Sequence, residues 1–299
     1  MMLEFKRFEF EDLPILSRYL PRFGSGDCDM TVPSLFTRME QRELTFCEVD
    51  NHLICERNLL NVDSRVIVMP MGEGELDVSA WRALQAYAQG KNQPLIFYGV
   101  VDEAVRILSR AYPDRTLKVE ENPARWDYVY LSDDFVRLEG SRYHSKRNFI
   151  KRFYKARPNA TFELFSASTF ELCRAFLQRW YEEKGADEEL QKESRVIEKM
   201  FEYHDHLDIY GGFLQDNGEV LGLTYGARCR CDMIAVHIEK ATRSVPGAYP
   251  ALSQAFAQTL PLCIKYLNRE EDLGIPGLQK AKEDWHPFSR IKKGIIEII

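Results

Sequence analysis

The stretch MIAVHIEKA, residues 233 to 241, carries the residue types that acid–base chemistry needs. If it is a strand, alternation puts Met233, Ala235, His237 and Glu239 on one face and Ile234, Val236 and Ile238 on the other. With a hairpin turn near Arg230, Tyr225 on the preceding strand lies on the His237 face, diagonal to it. Moving an acyl group to an amine or hydroxyl takes a base near the nucleophile and a proton donor for the leaving group. Glu239, at the strand end, suits the first role, and Tyr225 or His237 the second. The same pattern also describes a half-buried polar strand face with every group satisfied.

A candidate anion site follows directly. In KATRSVPGAYPALSQAFAQTL a helix is expected to open after Pro246-Gly247, with Pro250 in its first turn, where a missing N–H costs nothing. No acid occurs between Lys240 and Thr259, although a helix N-terminus favours one. With Arg243 just ahead, the backbone at Gly247, Ala248 and Tyr249 is suited to holding phosphate. An ordinary helix start is the plain alternative.

More positive charge sits in GSRYHSKRNFIKRFYKARP, residues 140 to 158, which has no acid in a chain of formal net charge -6. Wound at 100° per residue, its apolar members Tyr143, Phe149, Ile150, Phe153 and Tyr154 share one arc. Lys151, Arg152 and Lys155 lie opposite as a solvated face. Lys146 falls near the centre of the apolar arc, with Arg142 close by and Arg147 at its edge. Either these stems snorkel to water, or Lys146 and Arg147 meet an anionic ligand, one as a point charge and the other as a planar fork.

The elements that must position these groups come in the same order twice. The first half reads as helices at EDLPILSRYL and PSLFTRM, strands TFCEVD, HLICERN and SRVIVMP, a helix from Asp77 to Ala88, strand PLIFYGV, helix VDEAVRILSRAY, and closing strands LKVEE and WDYVYL. Asp77 is a natural N-cap. The second half reads as strand TFELFS, two helices, and a hairpin DIYGGFLQ–DNG–EVLGLTYGARC whose Asn217-Gly218 turn wants positive φ at both central positions. MIAVHIEKA, helix PALSQAFAQTL, strand KYLNRE, helix PGLQKAKEDW and a final strand KKGIIEII complete it. This is an α+β chain of two similar units, 1–135 and 136–299.

Composition excludes other classes. With 45% hydrophobic and 29% charged residues the chain is globular, and no apolar run approaches the roughly 20 residues of a membrane span. The charged N-terminus MMLEFKRFEFEDL does not resemble a signal peptide, and seven cysteines without a CxxC pair predict free thiols in a cytoplasmic protein. No metal is expected: His204-Asp205-His206 reads as a solvated loop and Cys229/Cys231 as a hairpin turn. Glu270, Glu271 and Asp272 in NREEDLG read as a solvated turn. Nucleic-acid binding as the main role fits poorly with a basic stripe confined to one segment of an acidic chain.

Three stretches, WDYVYLSDDFVRLEGSRYHSKRNFIKRF, EKATRSVPGAYPALSQAF and NREEDLGIPGLQKAKEDWHPF, resemble the bacterial DUF2156 family. That family is similar to the C-terminal transferase domain of phosphatidylglycerol lysyltransferases and to the FemABX aminoacyltransferases. The resemblance implies two tandem GNAT-like domains with mixed, mostly antiparallel sheets and a site between them. Its KRN signature matches Lys146, Arg147 and Asn148, and its third stretch brings Asn268 and Lys282 into consideration as cleft residues. The coenzyme A pattern of the GNAT fold is echoed only by Gly247-Ala248, so acyl-CoA and aminoacyl-tRNA both stay open as the donor. The acceptor, a small molecule, lipid or peptide, is not specified. A degenerate member of the fold, kept as a binding or regulatory module, is the alternative.

Overall fold

A computed structural model describes residues 2–59, 62–185 and 188–299, with only the backbone of Glu40. The chain opens with β1 (Lys6–Arg7), α1 (Leu13–Phe23), α2 (Val32–Thr37) and α3 (Met39–Arg42). Strands β2 (Thr45–Val49), β3 (His52–Arg57), β4 (Val66–Val68) and β5 (Met71–Gly72) follow, then α4 (Val78–Gly90), β6 (Leu95–Val100), α5 (Val101–Ala111) and β7 (Leu117–Glu121). Asp77 caps α4, accepting the Ser79 N–H at 2.7 Å.

The chain continues through β8 (Asp127–Leu131), α6 (Ser132–Arg137), α7 (His144–Ala156), β9 (Thr161–Leu164), α8 (Phe170–Lys184) and α9 (Glu188–Glu202). It ends with β10 (Ile209–Asp216), β11 (Glu219–Arg230), β12 (Met233–Ala241), α10 (Ala248–Thr259), β13 (Tyr266–Asn268), α11 (Pro276–Glu283), β14 (Ser289–Ile291) and β15 (Lys293–Ile298). The β10–β11 turn has positive φ at both Asn217 and Gly218, as expected.

Two mixed sheets result. One has the order β1-β2-β3-β4-β6-β15-β7, with β5 beside β3; the other runs β14-β8-β13-β12-β11-β10-β9. Each contains one parallel pair joined through a helix, β4/β6 through α4 and β12/β13 through α10. This is the repeated GNAT-like α+β unit.

One expectation is corrected. The sequence pattern places WDYVYL in the first unit and KKGIIEII in the second, yet β8 pairs with β13 and β14, while β15 lies between β6 and β7. Each sheet takes a strand from the other half of the chain. Such long-range pairing leaves no local trace in hydrophobic periodicity, because an inserted strand alternates like any other.

The second sheet is covered on one side by α6, α7 and α10, around Tyr128, Tyr130, Phe135, Tyr143, Ile150, Phe153 and Trp285. On the other side α8 and α9 pack through Phe170, Phe176, Ile197 and Phe201 against Leu223, Tyr225 and Ile238. Among the described residues no helix is long and apolar enough to cross a membrane.

Candidate active site

Pairing between the parallel strands β12 and β13 ends at Ala235 opposite Asn268, while β12 runs on to Ala241. Past that point, among the described residues, no backbone hydrogen bond joins the two segments, and they meet through side chains. Arg269 Nη2 donates to Glu239 Oε1 at 2.8 Å, and His237 Nδ1 lies 2.8 Å from Glu270 Oε1. Consecutive residues thus bridge the gap in two places.

The expectation that His237 and Glu239 share a face is corrected. Tyr225 pairs with Ile238 and Gly226 with Val236, so His237 is an extra residue, a β-bulge. A bulge reverses the alternation beyond it. Glu239 therefore turns toward α10, where the Ser253 hydroxyl lies 2.9 Å from its Oε1. Tyr225 stays with His237, ring centroids 5.8 Å apart, buried on the α8 side. Burial raises the pKa of its phenol. Tyr225 and Glu239 do not converge on one substrate position.

His237 is tightly held. A carboxylate at Nδ1 requires a proton there, so the neutral ring accepts at Nε2 from the hydroxyl of Thr31, 2.8 Å away. Thr31 also accepts the Ser34 N–H at the start of α2 and is fully buried. The histidine ties the first helices to the second sheet.

Around Glu239 the cationic groups are stacked on aromatic rings. The Arg269 guanidinium lies 5.4 Å from the Phe135 ring centre, 5.5 Å from Trp285 and 5.8 Å from Tyr130. Lys146 places Nζ 4.8 Å over Trp285. Burial pulls the lysine pKa down, with Asp284 opposing and Arg269 adding to the fall. Lys146 has no ion pair among the described residues, so it stands as a half-buried charge over Trp285, within electrostatic reach of Asp284 and Glu239.

The other expected residues divide sharply. Arg147 donates to the carbonyls of Leu138 and Gly140, the latter at 2.7 Å, and thereby caps α6. Asn148 lies exposed against the His144 ring, and Arg243 is exposed. Gly247 has φ +92°, and a Cβ there would meet the Phe149 carbonyl oxygen at 2.2 Å, so α10 begins pressed against α7. Ala248 spends its N–H on the Val245 carbonyl and Pro250 has none, leaving Tyr249 as the N–H donor of the first turn. Among the described residues no side chain caps this end.

Asn268 and Lys282 do not face a cleft. Asn268 is fully buried, donating to Gly26 O and Asp127 Oδ2 at 2.8 Å each. Lys282, also buried, donates to the Arg269 and Glu270 carbonyls and so braces the turn that carries both bridging residues. The solvated-turn reading of NREEDLG is corrected too: Asp272 is buried, accepting from the Tyr128 hydroxyl at 2.7 Å. A run of acids reads as surface until their partners, here His237, Lys293 and Tyr128, are known.

A second constellation escaped sequence reasoning. Lys293 Nζ lies 2.7 Å from Asp127, 3.4 Å from Glu271 and 3.5 Å from Asp27, with Cys28 Sγ at 3.3 Å. Burial would lower the lysine pKa, but Asp127, Cys28, Asp27 and Tyr98 outweigh it and hold it well up. Burial pushes Asp127 up to about 7 against the pull of Lys293. Asp27, Cys28 and Asp127 bring three possible ligand atoms within 4.8 Å of one another. The ammonium of Lys293 already serves as the cation of that group. Lys293, Glu271, Asp29, Arg42, Arg125 and Tyr98 also line a cavity of about 340 Å³.

A GNAT-like fold with a bridged gap at its parallel strands defines the class. Residues 21–293 match the family model described as "Phosphatidylglycerol lysyltransferase, C-terminal", and the chain belongs to that family. A conserved protein of unknown function from Bacteroides thetaiotaomicron is similar over the whole of both chains, with 27% identity and a TM-score of 0.91. L-PGS from Bacillus licheniformis shares the fold at 15% identity and a TM-score of 0.62, covering 97% of this chain and 91% of that one. So does the C-terminal DUF2156 domain of a protein assigned as a lysylphosphatidylglycerol synthetase from Agrobacterium fabrum, at 14% identity and 0.64, covering 96% and 91%. No curated protein matches the chain significantly.

Proposed function

We propose that the chain is an acyl- or aminoacyltransferase whose site lies at the gap between β12 and β13, in the half spanning residues 136–299. The donor carries phosphate, as aminoacyl-tRNA or acyl-CoA, and the acceptor is an amine or hydroxyl, an anionic glycerolipid among the candidates that the family suggests. One observation carries this reading: Glu239 has Oε1 fixed by Arg269 and Ser253, while Oε2 has no partner among the described residues and an unpaired Lys146 stands close by.

In this reading Glu239 Oε2 receives the acceptor proton as the nucleophile attacks the acyl carbon. Arg269 keeps the carboxylate aimed. Lys146, with the Tyr249 N–H at the start of α10, neutralises the donor phosphates. His237 holds the bulge that turns Glu239 toward α10, a positioning role.

The test is transfer of a labelled group from purified aminoacyl-tRNA or acyl-CoA to amine, hydroxyl and phosphatidylglycerol acceptors. Glu239→Gln is expected to lower turnover about 10²–10⁴-fold, the usual worth of a positioned base. Turnover unchanged in Glu239→Gln would remove the assigned base. Binding of a donor with no transfer to any acceptor would favour the degenerate binding module.

A further inference from the structure

Cys28 differs from the other six cysteines in its surroundings. Its Sγ lies 3.3 Å from Lys293 Nζ and 3.3 Å from Asp127 Oδ1, in a cluster where Asp27 Oδ2 is buried without a partner. Both Cys28 and Lys293 are buried, but Lys293 and Glu271 form part of the wall of the 340 Å³ cavity, and Glu271 Oε2 lies 3.6 Å from Sγ. A small oxidant can therefore reach the pair from one side.

We propose that Cys28 and Lys293 form an oxidative modification site, in which dioxygen joins Sγ to Nζ through a single bridging oxygen. The S–H bond and one N–H bond break, and S–O and O–N bonds form. One oxygen atom becomes the bridge, and the other leaves as water with the two hydrogens. Sulfur and nitrogen each lose two electrons, and dioxygen gains the four. Lys293 must first shed its extra proton, and the carboxylate of Asp127, 2.7 Å away, is the acceptor. One inserted oxygen spans most of the 3.3 Å gap, so neither segment has to move far.

The consequence is a covalent staple. Cys28 lies in the segment between α1 and α2, and Lys293 is the first residue of β15, where the chain passes from one sheet to the other. Linking them closes that passage independently of the transfer chemistry proposed above.

Peptide mapping of the aerated full-length protein tests this. Trypsin should release residues 23–38 and 293–299 as one species, heavier than their sum by one oxygen and lighter by two hydrogens, and a thiol reductant should separate them. Cys28→Ser should abolish the species, and Cys231→Ser, at an exposed cysteine, should not. Unlinked peptides after prolonged aeration, a link lacking the oxygen, or Cys28 sulfinic acid beside unmodified Lys293 would each overturn the proposal. These outcomes are read on the wild-type protein and do not depend on whether a variant folds.

Discussion

Lys293 and Asp127 are the first residues of the two exchanged strands, β15 and β8, and their charges meet at 2.7 Å. The chain changes sheets just before each of them, so one buried ion pair holds both crossings. Replacing Lys293 with Met would leave Asp127, Asp27 and Glu271 close together without their cation. We expect a loss of about 3–5 kcal/mol, the usual cost of breaking a buried pair from one side. Denaturant unfolding checks this, and a midpoint unchanged from wild type would show the crossings to be held by packing alone.

The same pair makes stability depend on pH. Asp127 binds its proton more tightly in the folded protein, at about 7, than in the unfolded chain, at about 3.9. Its contribution is therefore fully present below the unfolded value and lost as pH rises through 7. Melting temperature should fall between about pH 4 and 7 and level off above that, and Asp127→Asn should flatten the fall. A wild-type profile that rises over this interval would contradict the assignment.

The basic helix α7 should respond unevenly to substitution. Lys151→Ala and Lys155→Ala, on the exposed face, should change stability and donor binding by no more than about 0.5 kcal/mol. Lys146→Ala should keep the fold and weaken a phosphate-bearing donor by roughly 1.5–3 kcal/mol. Isothermal titration with each candidate donor decides between them, and equal affinity for wild type and Lys146→Ala would leave the lysine as a stem snorkelling over Trp285.

Arg269→Met would free Glu239 from its partner while filling similar volume among the three aromatic rings. Loss of a hydrogen bond to a charged group should cost about 1.5–3 kcal/mol in stability. Transfer activity should fall further than stability does, because the carboxylate loses its aim. Arg269→Lys, which keeps charge but not the planar fork, should recover stability more than turnover. Full turnover in the lysine variant would argue against a directional role.

Gly247→Ala tests the start of α10. Both the positive φ and the 2.2 Å approach to Phe149 O oppose a side chain there, so destabilisation of more than about 1 kcal/mol is expected. Wild-type stability would mean that α7 and α10 can separate freely.

Much of this architecture was legible in the residues. The paired Asn217-Gly218 turn, the Asp77 cap and the burial of Ile150 and Phe153 on α7 are local, each fixed by backbone conformation or a period of a few residues, whereas Phe149 and Tyr154 of the expected apolar arc are exposed. The placement of Lys146 over the core side follows from the same geometry, and its contact with Trp285 bears it out. The three family-like stretches led to the right family because each is a contiguous pattern.

What pairing and packing decided lay beyond local reach. One extra residue at His237 reversed the face of Glu239, and a bulge is set by the partner strand's register rather than by its own sequence. The exchange of β8 and β15 depends on which strands find room beside which, a choice that alternation does not encode. Arg147 looked like a ligand fork until the carbonyls it caps came into place. Lys293 sits in KKGIIEII like any surface lysine, and Asp27 and Asp29 like any polar loop. Their charges are buried together only because residues nearly the whole chain apart converge at the crossings, where a low-dielectric interior makes each charge depend on its neighbours.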